Sequence, residues 1–288
     1  MNKYLEVKNL THTYDSSTPF KFDAVSDVSF SVDKGEIIGI IGHTGSGKST
    51  LVSHLNGLLK PTSGNIYIDG VDIWAEPKKI KNIRSRVGLV FQYPEYQLFE
   101  DTVFKDIAFG PKNMGLDGDE LNNRVNEICK LLNISEGYLS KSPFDLSGGE
   151  KRRVAIAGVM AMNPEIIIFD EPIAGLDPQG RKNIIKMIED YRKAFNATVF
   201  IISHNMEDMA NLADKLIVMN KGKLVKFDTT ENVFKDAEFL KGIGLNVPIV
   251  TEIFELLRQK GIKTEENILT VDRAVKCLLK LKEANKNA

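Results

Sequence analysis

Two cysteines in 288 residues, Cys129 and Cys277, are too few for a disulfide framework or a zinc site. Both read as small buried or half-buried apolar residues, in keeping with a reducing compartment. An excess of charge of one sign is also lacking. Lys and Arg number 38 against 39 Asp and Glu, a net charge of −1. No global field therefore draws the chain to nucleic acid or anionic lipid. No stretch reaches the ~20 apolar residues that a membrane span requires. The nearest candidate, Val154 to Phe169, is broken by Asn163, Pro164 and Glu165. Met1 to Leu10 alternates polar and apolar residues like a strand and lacks the apolar core of a signal peptide. Any role at a membrane is thus expected to be that of a peripheral subunit. Internal repeats, heptads and low-complexity tracts are absent, and the lysine-rich runs at 78–81 and 280–286 read as solvated surface.

What is present is an ordinary globular composition, 42% hydrophobic and 27% charged. Tyr4 to Leu10, Ala24 to Val32 and Asn65 to Ile68 suit short strands of a β-rich subdomain. Ile37 to Ile41 is a continuous apolar run, the pattern of a parallel strand buried on both faces. It leads into a glycine-rich loop and a helical pattern over Thr50 to Leu59. Val87 to Phe91 is a second such strand. From about Pro94 to Met162 the pattern is helical, with Leu121, Val125, Ile128 and Leu132 on one face. Buried strands return at Ile166 to Phe169, Thr198 to Ile202 and Lys215 to Met219, with helices such as Gly180 to Phe195 between them. Alternating strands and helices imply a parallel α/β sheet with crossovers. Residues 1–236 read as one α/β domain, and 237–288 as a mainly helical extension. The extension is expected to hold helices at Val250 to Lys260 and Asp272 to Lys282, and a strand around Asn267 to Thr270.

The chemistry sits in a few short motifs. Gly42-His43-Thr44-Gly45-Ser46-Gly47-Lys48-Ser49 has the spacing of a phosphate-binding loop, and a strand precedes it and a helix follows. Gly42, Gly45 and Gly47 let backbone N–H groups turn toward phosphate oxygens, and the helix beginning near Thr50 offers its positive end. Ser46 belongs to the same cradle. Lys48 supplies a point charge for the β- and γ-phosphates, and Ser49 a hydroxyl for Mg²⁺. His43 and Thr44 are assigned no chemistry. Ile166 to Phe169 ends in Asp170-Glu171. A carboxylate at that strand end can hold Mg²⁺ through water, and the next one can orient or deprotonate the attacking water. Leu146-Ser147-Gly148-Gly149-Glu150 opens a helix with Ser147 as its cap.

The order of these motifs resembles the ABC ATPase family over nearly the first 230 residues. That resemblance implies a phosphate-loop ATPase fold: a RecA-like parallel sheet core, an antiparallel β subdomain and a helical insertion at about 94–162. It implies ATP and Mg²⁺ as cofactors. Ser147, Gly148 and Gly149 look like the family's signature motif. Gln92 looks like the glutamine that senses the γ-phosphate and Mg²⁺ and contacts a transmembrane partner. Gly175-Leu176-Asp177 resembles the loop that crosses between two ATPase domains, and His204 the histidine that bonds the γ-phosphate. Tyr14 resembles the aromatic residue that stacks on adenine, or it is an ordinary strand aromatic. Two residues depart from the family pattern: Glu150 in place of glutamine and Ile173 in place of threonine. In the family, two domains face each other head to tail, so Ser147 and Gly149 would serve the partner's nucleotide. Lys48, Ser49, Gln92, Asp170, Glu171 and His204 would serve the chain's own.

A finer resemblance, in Phe91 to Phe99 and Ile107 to Pro111, is to the ATPases of energy-coupling factor transporters. These import vitamins and transition-metal ions. The implied partners are a second ABC ATPase (a sister chain or a copy of this one), an integral membrane scaffold (T component) and a substrate-binding membrane S component. Nucleic acid is not among them. The implied location is the cytoplasmic face of the cell membrane. Other readings are an ATPase of another importer, or a non-transport ABC protein. DNA-organising and repair types need a coiled coil or zinc cysteines, and this sequence has neither. Translation types carry two ATPase domains in one chain. A metabolite kinase would lack Ser147 to Glu150 and Asp177.

Overall fold

A computed structural model describes residues 3–15 and 21–286. The chain opens with two strands, Leu5–Tyr14 (β1) and Phe22–Val32 (β2), followed by Ile37–Ile41 (β3) and Lys48–Leu55 (α1). Ser63–Ile68 (β4), Val71–Asp72 (β5), Ile80–Arg86 (α2) and Val87–Val90 (β6) come next. Three helices follow, Val103–Asn113 (α3), Gly118–Leu131 (α4) and Gly148–Met160 (α5). The core closes with Ile166–Asp170 (β7), Pro178–Phe195 (α6), Thr198–Ile202 (β8), Met206–Leu212 (α7), Lys215–Asn220 (β9) and Lys223–Thr229 (β10). The C-terminal part is helical: Thr230–Lys235 (α8), Ala237–Gly242 (α9), Ile249–Gln259 (α10) and Val271–Lys286 (α11).

Strand β3 is buried at all five positions because it lies inside a six-stranded sheet of order β10-β9-β3-β8-β7-β6. Its neighbours β8 and β9 run parallel to it, as do β6 and β7 further along, and only β10 is antiparallel. The two-residue alternation of a strand divides its side chains between two cores. Ile38 and Ile40, with Ile168, Phe200 and Ile202, meet α1 and the antiparallel sheet β2-β1-β4-β5. Ile37 and Ile41, with Ile167, Phe169 and Ile201, meet the helices of the opposite face. There α6 buries Ile184, Met187, Ile188 and Tyr191, an apolar stripe at helical spacing. Asp177 caps α6 by accepting from the Gly180 N–H at 2.6 Å, and Asn196 closes it at a φ of 49°.

The structure shortens and shifts some expected elements. Helix α1 begins at Lys48 and stops at Leu55 rather than running to Leu59. Gly57, at a φ of 69°, turns the chain, and the His54 ring pairs with the Leu59 carbonyl at 2.9 Å. Asn267 to Thr270 is not a strand. Ile268 and Leu269 are buried, but their stretch lies under α10, where the Ile268 carbonyl accepts from the Thr251 hydroxyl at 2.9 Å. Buried apolar residues gave the strand signal without a sheet edge to join. The extension has two parts: Leu240, Leu245 and Val247 enter the main core, whereas Phe254, Ile268, Ala274 and Cys277 form a small core of their own.

One buried ion pair joins three distant segments. Arg152 of α5 forks onto Glu95, with Nε and Nη2 each donating at 2.9 Å. Its Nη1 donates to the Ala174 carbonyl at 2.8 Å. Removing one partner of such a pair leaves the other charge buried and uncompensated. Arg152→Met is expected to lower unfolding free energy by about 3 kcal/mol. Urea denaturation would measure this, and adding Glu95→Leu to Arg152→Met is expected to restore most of the loss.

Candidate nucleotide site

The loop after β3 is shaped by glycines. Gly47, the N-cap of α1, has a φ of 99°, and a Cβ there would run into the Ala24 carbonyl of β2. Gly45, at a φ of 77°, faces open space. Lys48 is buried, and its Nζ donates to the carbonyls of Gly42 at 2.6 Å and His43 at 2.8 Å. Burial pulls the Lys48 pKa below the usual lysine value, against the opposing charges of Glu171 and Asp170. The Ser46 hydroxyl is buried with no hydrogen-bond partner. An orphaned donor inside a cradle of backbone N–H groups is what an anion would satisfy.

Parallel pairing of β7 with β8 sets Asp170 opposite Ile202, so the acidic strand end and the histidine-bearing segment emerge side by side. The Ser49 hydroxyl donates to Asp170 Oδ2 at 3.3 Å, bringing together two hard oxygen ligands of the kind Mg²⁺ takes. Glu171 sits in left-handed backbone at a φ of 51°, its N–H donating to the Ile202 carbonyl at 3.1 Å. Non-glycine residues persist there only when their surroundings fix them, and such strain gathers at functional sites. The Glu171 side chain is only 14% exposed, and its Oε1 lies 3.4 Å from His204 Nε2 without a hydrogen-bond partner. Burial first, and then the Asp170 charge, push its pKa up to about 7. Burial and the Lys48 charge lower that of His204.

Thr44, Gly45, Gly47, Lys48, Ser49, Thr50, Gln92, Asp170, Glu171 and His204 all line one open cleft of about 500 Å³. The sequence-predicted signature residues do not. Ser147, at the start of α5, borders a separate hollow with Gly149, Gly180 and Asn183. Its N–H and hydroxyl both donate to Glu150 Oε2, at 2.8 and 2.6 Å. These bonds from Ser147, with another from Tyr138, pull the Glu150 pKa down to about 2. The carboxylate thus takes up the capping that a glutamine amide would perform. A Cβ added at Gly148 or Gly149 would meet no neighbouring side chain or segment. Tyr14 is 41% exposed at the end of β1, its ring centroid 4.5 Å from that of His12 in an edge-on arrangement, and it does not line the cleft.

A sequence profile of the ABC transporter family matches residues 25–174. The chain belongs to the ABC transporter ATP-binding family. The ABC chain is 50% identical over 283 residues to the energy-coupling factor transporter ATP-binding protein EcfA2 of Caldanaerobacter subterraneus subsp. tengcongensis, covering 98% of this chain and 99% of that one. It is 53% identical to the protein of the same description from Clostridioides difficile, covering 96% of each. Among solved structures, cbiO1 from Clostridium perfringens, described as part of the ABC transporter complex cbiONQ, is 36% identical with a TM-score of 0.75. It covers 88% of this chain and 100% of its own. A dimeric, post-hydrolysis structure of the ATP-binding cassette MJ0796 bound to ADP and Pi is 28% identical with a TM-score of 0.69, covering 78% of this chain and 98% of its own. This ABC protein is therefore an ATP-binding subunit, an ATPase coupled to transport.

Two features of this ABC site escape a reading of motifs. Tyr93, directly after Gln92, is in left-handed backbone at a φ of 56°. His43, which sequence reasoning left without a role, has its ring Nε2 2.8 Å from the Ile243 carbonyl. No local pattern announces either.

The raised pKa of Glu171 has a cost for stability. Between the ordinary carboxylate value of 4.5 and about 7 the folded chain binds more protons than the unfolded one. Stability therefore falls as pH rises through that window, and the penalty is complete above it. In chelator-treated, nucleotide-free protein, Glu171→Gln is expected to gain on the order of 2–3 kcal/mol at pH 8, and much less at pH 4.5. Denaturant titrations at both pH values would check this.

Proposed function

We propose that this chain is the ATP-hydrolysing subunit of an energy-coupling factor importer, bound to the cytoplasmic face of the cell membrane and driving uptake of vitamins or other micronutrients. The observation that carries the reading is the division of the site. Lys48, Ser49, Gln92, Asp170, Glu171 and His204 share one cleft, while Ser147 to Gly149 open away from it with space at their backbone. The signature residues do not reach the cleft of their own chain, Ser147 being tied instead to Glu150, and in this reading they serve the nucleotide of a second ATPase, a sister chain or a copy of this one.

In this reading Gly42 to Thr50 wrap the phosphates, Lys48 leaves the loop carbonyls to meet the β- and γ-phosphates, and Tyr14 stacks on adenine. Tyr14 stands one strand away from the loop, since its partner strand β2 touches Gly47 through Ala24. Ser49, Asp170 and Gln92 would hold Mg²⁺ brought with the nucleotide, and the ion would supply charge neutralisation at the phosphates. Glu171, kept protonatable near neutrality by its burial, takes the proton of the attacking water, and His204 holds the γ-phosphate. Asp177 lies on the loop that faces the partner ATPase. Closure forms charge-assisted contacts to the γ-phosphate that hydrolysis removes.

Two exposed surfaces support the assembly. A groove of about 800 Å³ holds Phe99, Phe109 and Met114, rimmed by Lys81, Arg84 and Asp106. Apolar walls with a charged rim suit an amphipathic segment of the membrane scaffold (T component), through which the S component would be engaged. The extension, 237–288, exposes Ile249, Ile253, Leu256, Val275, Leu278 and Leu279, a face suited to pairing with the second ATPase. No helix of the described residues is long and apolar enough to cross a membrane.

Affinity purification of the tagged chain from detergent-solubilised membranes tests the assembly. A second ATPase, one scaffold and small membrane proteins are expected, and Phe109→Asp is expected to lose the membrane components while keeping the ATPase. Recovery of a dedicated permease pair would move the chain to another importer class. For the chemistry, Glu171→Gln is expected to cut steady-state hydrolysis by about 100-fold or more while ATP-driven association persists. Undiminished turnover would remove Glu171 from the reaction.

A further inference from the structure

The phosphate loop is fastened to the C-terminal extension. His43 lies in the loop with its own carbonyl accepting from Lys48 Nζ. Its ring Nε2 lies 2.8 Å from the Ile243 carbonyl, so that nitrogen carries a proton and donates. The next residue, Gly244, has a φ of 77°, and a Cβ there would stand 2.7 Å from His43 Nε2. The ring thus occupies the space where a side chain would otherwise lie. Ile243 caps the C-terminal end of α9, its N–H donating to the Phe239 carbonyl at 3.1 Å. Leu240, Leu245 and Val247 hold this stretch in the main core.

A second attachment lies six residues on. The Ile249 N–H donates to Glu207 Oε1 at 3.2 Å, and Glu207 is in the first turn of α7, three residues past His204. The stretch 243–249 therefore touches the loop that holds the phosphates and the segment that carries His204. Its last residue, Ile249, opens α10.

We propose that residues 243–249 form a strap that positions the phosphate loop through His43, so that the C-terminal extension sets nucleotide affinity. The proposal rests on the reading of Gly42 to Thr50 as the ATP site. Lys48 must abandon the Gly42 and His43 carbonyls to reach a phosphate, which removes two bonds that shape the loop. The bond from the His43 ring to Ile243 is independent of that exchange and keeps the loop in place while it happens. Reducing the loop's freedom before binding lowers the entropy that binding must spend. His43 acts here through the loop backbone, as a positioning residue.

The test is Mg·ATP binding to the full chain by calorimetry. His43→Ala is expected to weaken binding about 5-fold, the size one intramolecular hydrogen bond supports. His43→Gln, whose amide can donate to the same carbonyl, is expected to stay within about 2-fold of the parent. Gly244→Ala leaves the histidine in the sequence but displaces its ring, and is expected to weaken binding as His43→Ala does. Unchanged binding by His43→Ala overturns the proposal. So does weak binding by His43→Gln, or tight binding by Gly244→Ala beside weak His43→Ala, since either would put the imidazole on the nucleotide itself. Lys48→Ala is the control for the site: if it binds Mg·ATP like the parent, the reading of the loop fails and not merely the strap.

Discussion

The fork of Arg152 onto Glu95, with its third contact to Ala174, is the constraint on which the arrangement of the site depends. Glu95 follows Gln92 by three residues, Ala174 follows Glu171 by three, and Arg152 lies one turn into the helix that Ser147 caps. A single guanidinium therefore fixes the glutamine segment, the acidic strand end and the signature helix relative to one another. Its planar donors match a carboxylate and a carbonyl at once, which a lysine could not do. A pair so buried contributes little net stability over an apolar substitute, but it permits one register of the three segments and penalises others.

The sheet provides the second part of the arrangement. Parallel strands end together, so Ile41, Asp170 and Ile202 release the phosphate loop, the acidic pair and the histidine segment at one edge. Glu171 stands immediately past that edge, where the chain has left the ladder but water has not fully reached it. Its burial beside Asp170 gives a carboxyl that is costly to ionise in the resting chain and basic when ionised. The left-handed backbone and the raised pKa fall on the same residue, Glu171, to which the proposed function gives the proton transfer.

Much of this was legible in the sequence, for a physical reason. Phosphate binding needs a glycine loop between a strand and a helix, so Gly42 to Ser49 had to be local, and so did the strand ending in Asp170-Glu171. Ile184, Ile188 and Tyr191 followed from helical spacing. The contacts that escaped are those without local form. Arg152 and Glu95 are 57 positions apart, and His43 and Ile243 are 200 apart. Such pairs leave no periodic trace, and His43 looked like loop filler. At Asn267 to Thr270 the error ran the other way, because burial beneath α10 selects the same apolar residues as a sheet would.

Ser147 and Gly149 line a different hollow from Lys48, so damage to one need not touch the other. Under the proposed pairing, a chain whose phosphate loop is damaged would still fold its signature helix and still offer that surface to another ATPase. It would take a place in the assembly that a sound chain could have filled, with half of the paired machinery inactive. Loss-of-function changes in the phosphate cleft would be dominant over the normal gene, whereas changes that prevent folding would be recessive.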